Sequence, residues 1–273
     1  MIFRKMSPLN LLMFLMVLTS GASCDQVSQD KEIITIKIAD YNVGAFAKNS
    51  DSSIEVIADL MKEIAADVVS VNEVDSCTVR TGKVNQLAEF AKKMGDWNHY
   101  FSKAMPYSGG AYGIGLVSRP ELKIVRTDRL SLSQYDGLEP RTMALVEFED
   151  FIVASCHIDY KTVAAQLGQI DQINAYMKKH YSATDKPIFL CGDFNCTPES
   201  EAIVEMLRTW KMISTKSYTY PSDQPKKCID FVFMRNGGKV KVKKADVCRS
   251  LTSGDVKTAS DHLPIYVELE IEK

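Results

Sequence analysis

A set of polar residues stands where apolar, strand-like runs begin or end. Asn42 closes the alternating stretch that carries Ile34, Ile36 and Ile38. Glu73 follows the apolar run at 68–71 by one residue, and His157 directly follows the run at 151–156. Asp193 and Asn195 lie in Gly192-Asp193-Phe194-Asn195, after the run at 188–191. Asp261 and His262 stand just before the last run, at 265–271. Carboxylates ligate hard cations and take protons from water, imidazoles move protons near neutral pH, and amides donate hydrogen bonds without adding charge. If these strand ends share one rim of a fold, the side chains converge there, as ligand-binding groups do in open α/β sheets.

Each residue alone has an ordinary structural reading. Glu73 reads as a solvated loop carboxylate, Asn42 and Asn195 as turn formers, His157 as a satisfied core histidine and Asp193 as a cap for its own turn. Their placement, one strand end after another, argues for a common site. The seven cysteines form no C-x-x-C pair and no Cys/His zinc spacing, which argues against zinc. Cys156 and Cys191 fall inside apolar runs and read as small buried hydrophobes.

The elements that must position this set follow from periodicity. Alternation at 33–38 predicts a strand running toward Asn42. Ile54, Ile57, Met61 and Ile64 keep helical spacing, with Ser52 or Ser53 as N-cap. Val84, Leu87, Ala91 and Met94 predict a second helix. Further helices are predicted at 163–179 and 199–207. Strands are predicted at 68–71, 113–118, 122–127, 143–148, 151–156, 188–191, 228–234, 240–247 and 265–271. Strands that follow one another without a helix imply antiparallel neighbours, and interspersed helices imply outer layers. The result is an α/β sandwich of two mixed sheets covered by helices.

The chain has 273 residues, enough for one large core without a disulfide framework. It is 45% hydrophobic and 25% charged, which excludes a collagen, a disordered tail and a multi-span membrane protein. Its net charge of −2 argues against a basic nucleic-acid binder. The clearest basic stretches are Lys226-Lys227 and Lys239, Lys241, Lys243, Lys244; the alternation of the second reads as a solvated outer face. Arg4 and Lys5, an apolar run at 11–18 and the small residues 19–23 before Cys24 have the order of an export signal. The run is too short to span a bilayer, which needs about 20 residues. Small residues before Cys24 resemble a bacterial lipobox, although Gly21 stands where Leu is usual; an ordinary signal peptide cut nearby is the alternative. The expected organisation is a signal at 1–23, an acylated Cys24, a tether at 24–32 and one domain at 33–273. The protein is then membrane-anchored, facing the periplasm or cell exterior, and is expected to be a monomer.

Further motifs complete the order: Tyr41-Asn42-Val43, Asn72-Glu73-Val74, Tyr112-Gly113-Ile114-Gly115-Leu116-Val117-Ser118-Arg119, Pro140-Arg141, Cys156-His157-Ile158-Asp159, Gly192-Asp193-Phe194-Asn195, Ile229-Asp230-Phe231 and Ser260-Asp261-His262-Leu263-Pro264. This order resembles the endonuclease/exonuclease/phosphatase superfamily over nearly the whole mature chain, and most closely its small secreted bacterial branch. The resemblance implies a four-layer α/β/β/α, deoxyribonuclease-like sandwich and divalent-metal-dependent hydrolysis of phosphoester bonds. A phosphodiesterase or nuclease is expected ahead of a monoesterase, on a nucleic acid, nucleotide, phospholipid or sugar phosphate. A non-catalytic binding module on the same fold is the alternative.

In that reading Glu73 and Asp261 hold Mg²⁺ or Mn²⁺, with Asn42 orienting the shell. Asp193 orients or deprotonates the attacking water, and Asn195 donates to a phosphoryl oxygen. His262 contacts the phosphate or moves a proton, and Asp230 holds a site histidine. His157 is a phosphate donor or leaving-group acid. Arg141 is either structural or phosphate-facing, and Tyr160 and Tyr112 face substrate. Asn72 stands where the family usually has Gln, and Gln166-Leu167-Gly168-Gln169 stands where it often has Arg-x-x-Gln.

Overall fold

The computed structural model describes residues 2, 32–49, 52–137 and 139–273. The expected export signal (Ile2 apart), Cys24 and the tether up to residue 31 lie outside the described residues. The folded unit is Glu32–Lys273.

Alternation sets the first strand, β1 (Ile33–Asn42): Ile36 and Ile38 point into the core, and every residue from Ala39 to Asn42 is buried. The remaining strands are β2 (Val68–Ser76), β3 (Asn98–Tyr107), β4 (Gly110–Ser118), β5 (Ile124–Leu132), β6 (Arg141–Phe148), β7 (Ile152–His157), β8 (Ile188–Asp193), β9 (Lys211–Met212), β10 (Asp230–Arg235), β11 (Val240–Val247) and β12 (Ile265–Glu272). Hydroxyl and amide caps start the longer helices. Ser53 accepts from Val56 N before α1 (Ile54–Ile64), Asn85 from Ala88 N before α2 (Gln86–Gly95), Thr162 from Ala165 N before α3 (Val163–Tyr181) and Ser200 from Ile203 N before α4 (Glu201–Met206). Each cap contributes about 1 kcal/mol. A single turn, α5 (Val256–Ala259), precedes the Ser260-Asp261-His262 segment.

Two six-stranded sheets result, in the orders β11-β12-β1-β2-β4-β3 and β5-β6-β7-β8-β10-β9. Each is mixed: β1 runs parallel to β2 and β7 parallel to β8, while the other neighbours are antiparallel. The inner faces meet through Ile38, Val68, Val153, Phe189 and Val232, and α1 and α2 add Ile57, Leu60 and Phe90 from outside the first sheet. On the far side, Ile170, Ile173 and Ile203 of α3 and α4 pack on Leu145, Leu190 and Phe233. This is the expected four-layer sandwich.

Topology makes the rim. The C-terminal ends of the parallel pairs bring Asn42, Glu73, His157 and Asp193 to the same end of the sandwich. β10 runs against β8 with Asp230 opposite Asp193, and β12 starts beside the end of β1. The residues at the starts of these two strands therefore reach that end as well.

Several expectations need correction. β10 and β11 follow one another without an α-helix, yet they belong to different sheets. β3 is missed because its edge position leaves an irregular, half-exposed pattern instead of strict alternation. Tyr107 ends β3 and Tyr112 lies in β4. The β11 lysines are on a solvated face, as expected: Lys243 pairs with Glu270 at 2.8 Å and Lys244 faces Asp246. Cys156 and Cys191 are fully buried, and all six described cysteines are free thiols.

Candidate active site

A bulge in β2 between Val71 and Val74 breaks its pairing with β4 at Asn72 and Glu73. Glu73 there takes a left-handed backbone, φ 56°. On the facing sheet, Gly192 has φ 149°, and a Cβ there would lie 1.9 Å from Cys156 O, so only glycine lets β8 pass β7 this closely just before Asp193.

Asp193 is held on all sides. Its N–H donates to Asn72 Oδ1 at 2.9 Å, its Oδ1 accepts from Asn195 N at 2.8 Å, and its Oδ2 accepts from Asn42 Nδ2 at 3.1 Å. The Asn42 amide also donates to Glu73 Oε1 at 3.1 Å, and its own oxygen accepts from Gly44 N. Asn42 thus orients both carboxylates with its NH₂ group, and its oxygen is already engaged. Asn72 also donates to Ser155 Oγ and Cys156 O across the sheets, so it positions Asp193. Nothing in its neutral amide type had marked it for that part.

His262 donates from Nδ1 to Asp230 at 3.0 and 3.1 Å and turns Nε2 toward Asp193 Oδ2, 3.6 Å away. Burial pushes its imidazolium down, but the Asp230 and Asp193 charges outweigh that and raise it to about 10. His262 is therefore a cation at neutral pH. Burial lifts Asp193 above the ordinary carboxylate range; the His262 charge opposes this and the Asp230 charge adds to it. His157 behaves in the opposite way: burial, then the Arg141 charge, push it well below the usual imidazole range, so it is neutral. Its Nε2 lies 3.0 Å from Asn195 Nδ2, which also donates to Ile158 O at 3.0 Å. Both Asn195 amide hydrogens are thus used in holding His157 and the following loop, and the expected donation to a phosphoryl oxygen is not available from this arrangement. A neutral His157 with an unpartnered Nδ1–H suits hydrogen bonding better than acid catalysis.

These groups line a pocket of about 490 Å³. Asp193, His262, Arg141 and His157 are at most 4% exposed, while Tyr107 and Tyr160 at the mouth are 39% and 49% exposed. The three expected substrate-facing residues, Arg141, Tyr160 and Tyr112, all line it. Arg141 pairs with Glu139 through Nη2 at 3.2 Å, and its Nε and Nη1 have no hydrogen-bond partner among the described residues. Arg80, which sequence reasoning missed, lies over the Tyr107 ring at 4.4 Å, its Nε and Nη2 bonded to the buried Asp75 at 2.6 and 2.8 Å. Asp40, also missed, is fully buried; burial and then the Asp230 charge raise its carboxyl well above the ordinary range.

Two groupings could hold a cation. Ligand atoms of Asp193, Asp230 and His262 lie within 4.8 Å of one another. Those of Asp230 and His262 are already bonded to each other. Glu73 Oε2 and Asp261 Oδ2 instead converge on a positive charge, the Lys48 ammonium, at 3.7 and 2.7 Å. Burial works against that ammonium, but Glu73 and Asp261 outweigh it and keep it charged. An all-oxygen pair already gathered around a cation fits a hard divalent ion.

The fold has solved counterparts. An endonuclease/exonuclease/phosphatase family protein from Bacteroides thetaiotaomicron superposes with TM-score 0.71 at 19% identity, over 89% of this chain and 97% of that one. A mannosyl-6-phosphatase from the same organism gives 0.70 at 19% identity, over 86% and 99%. The human Nocturnin catalytic domain with bound sulfate gives 0.68 at 15% identity, over 88% and 96%. No curated protein sequence matches the chain. The family profile for endonuclease/exonuclease/phosphatase proteins matches residues 41–262, which run from the end of β1 through the Asp261-His262 pair. This chain belongs to the endonuclease/exonuclease/phosphatase family.

Proposed function

We propose that the protein hydrolyses a small or terminal phosphoester with the help of a divalent metal ion. The observation that carries this reading is the convergence of the buried Asp193 and His262 with the partly exposed Glu73–Asp261 pair in one pocket. A phosphoryl group must reach the buried Asp193 and His262, which favours a compact substrate or a chain end over the interior of a duplex. Such a substrate includes small phosphodiesters as well as monoesters; the mannosyl-6-phosphatase similarity is of fold, and brings a sugar phosphate in only as one candidate.

Asp193, fixed by Asn42, Asn72 and the Asn195 backbone, accepts the proton of the attacking water. His262 offers an N–H and a positive charge beside it, where charge develops on phosphoryl oxygens. Asp230 fixes the tautomer of His262 and sustains its charge. Arg141 adds two unpartnered N–H groups for the remaining oxygens. Glu73 and Asp261 would hold Mg²⁺ or Mn²⁺, which when bound supplies Lewis-acid neutralisation of the phosphoryl group.

The test is release of nitrophenol from bis-p-nitrophenyl phosphate and p-nitrophenyl phosphate, followed by small natural mono- and diesters, with Mg²⁺, Mn²⁺ or EDTA. Metal-dependent hydrolysis that Asp193→Asn lowers by about 10²-fold or more is expected. Full activity in Asp193→Asn would remove its role as base. No hydrolysis of any ester, with no metal binding by titration, would favour the non-catalytic alternative. We also propose anchoring through Cys24; radiolabelled palmitate should enter the wild-type chain and not Cys24→Ala.

A further inference from the structure

The loop after β1 is built to carry a lysine into the carboxylate pair. Gly44, Ala45 and Phe46 take successive left-handed backbones, φ 52°, 55° and 50°. For the alanine and phenylalanine this backbone is unfavourable, because Cβ crowds the following carbonyl oxygen. Burial of Phe46 against Phe90, ring centroids 5.6 Å apart, and a hydrogen bond from the Gln86 side chain to Ala45 O hold the turn. A Cβ on Gly44 would meet Lys48 Cβ at 2.7 Å and Cδ at 2.9 Å, so the Lys48 stem lies directly across Gly44. Its ammonium reaches Asp261 Oδ2 at 2.7 Å and Glu73 Oε2 at 3.7 Å. These are the two oxygens that the proposed function assigns to the metal.

We propose that Lys48 is a tethered counter-ion that competes with the divalent metal for Glu73 and Asp261. This rests on the reading of those two residues as the metal pair. In the metal-free protein the ammonium offsets the repulsion between the two carboxylates and keeps them in place. A metal ion entering between the same oxygens meets a positive charge and must displace it. The side chain can leave, because it is nearly half exposed and its stem is flexible. Lys48 thereby lowers metal affinity and makes the site respond to metal concentration.

The experiment is Mn²⁺ binding to the purified protein, followed by titration calorimetry and by the electron paramagnetic resonance of free Mn²⁺. Lys48→Met should bind about tenfold tighter than wild type, and Lys48→Arg should stay close to wild type. In EDTA, Lys48→Met should melt at a lower temperature than wild type, and Mn²⁺ should raise its melting temperature by more. An unchanged or weaker Kd in Lys48→Met overturns the proposal, since a merely structural lysine moves the melting temperature and not the Kd. Glu73→Gln separates the two readings: if it binds Mn²⁺ as well as wild type, the metal pair itself is misassigned. Should Lys48→Met not fold, wild type still decides. Reductive methylation of Lys48, located by mass spectrometry, should be slow in EDTA and faster with saturating Mg²⁺; equal rates overturn the proposal.

Discussion

His262 shows how far a residue's surroundings can move it from its ordinary chemistry. An isolated imidazole is mostly neutral at pH 7. Two buried carboxylates at its ring nitrogens keep this one charged. Its folded-state value is raised above the unfolded one, so the stability it brings is complete below about pH 6.5 and is lost as the pH rises toward about 10. Urea denaturation in EDTA should therefore show His262→Asn costing more stability at pH 6 than at pH 9.5. A constant difference would mean that Asp230 and Asp193 do not hold the ring cationic. His157 faces the same Asp193 oxygen, its Nε2 3.5 Å from Oδ2, yet burial and Arg141 keep it neutral. Two histidines of the same type are thus driven to opposite charge states, which separates a cationic from a neutral hydrogen-bond donor in one pocket.

At the scale of elements, the site depends on where strands are allowed to approach. β7 and β8 are parallel neighbours, and His157 lies opposite Asp193 across them. Gly192 is what lets their ends close up, because its α-carbon faces Cys156 O with no room for a side chain. Gly192→Ala forces either a backbone shift or a separation of the strands, at a residue whose φ of 149° an L side chain rarely adopts. We expect a loss of about 3 kcal/mol or more in urea denaturation, together with loss of hydrolysis even in the folded fraction. Retained stability would show that the strand ends are more pliable than this packing implies. The β2 bulge serves the same purpose from the other sheet, since without it Glu73 would follow strict alternation.

For the whole molecule, charge and shape decide what can bind. The net charge is −2, and the β11 lysines are matched by Glu270 and Asp246. Phosphate neutralisation dominates duplex affinity. The β11 lysines, matched in this way, offer little of it. Fluorescence anisotropy should find only weak association of a short DNA duplex at physiological salt, and supercoiled plasmid should remain intact under conditions where small esters are cleaved. Tight binding with a steep salt dependence, or rapid nicking, would overturn the small-ester reading in favour of an endonuclease.

Strand ends and their polar residues could be read from the sequence because both are local. An apolar run stops or starts beside a carboxylate, amide or imidazole, and that marks Asn42, Glu73, His157, Asp193 and His262. The helices were equally readable from spacing and caps such as Ser53. The edge strand β3 was not, because one neighbour and partial exposure leave no strict period. Nor were the groups around the marked residues: Asn72 beneath Asp193, Arg80 anchored by Asp75, Asp40 buried in the core and Lys48 between two carboxylates. Their roles come from distances between segments far apart in the chain, which composition and periodicity do not encode. Residue order alone marks which side chains stand at strand ends and which family pattern they follow. Which of them meet is a matter of folding, because burial and through-space charge, not residue type, set hydrogen-bond partners and charge states.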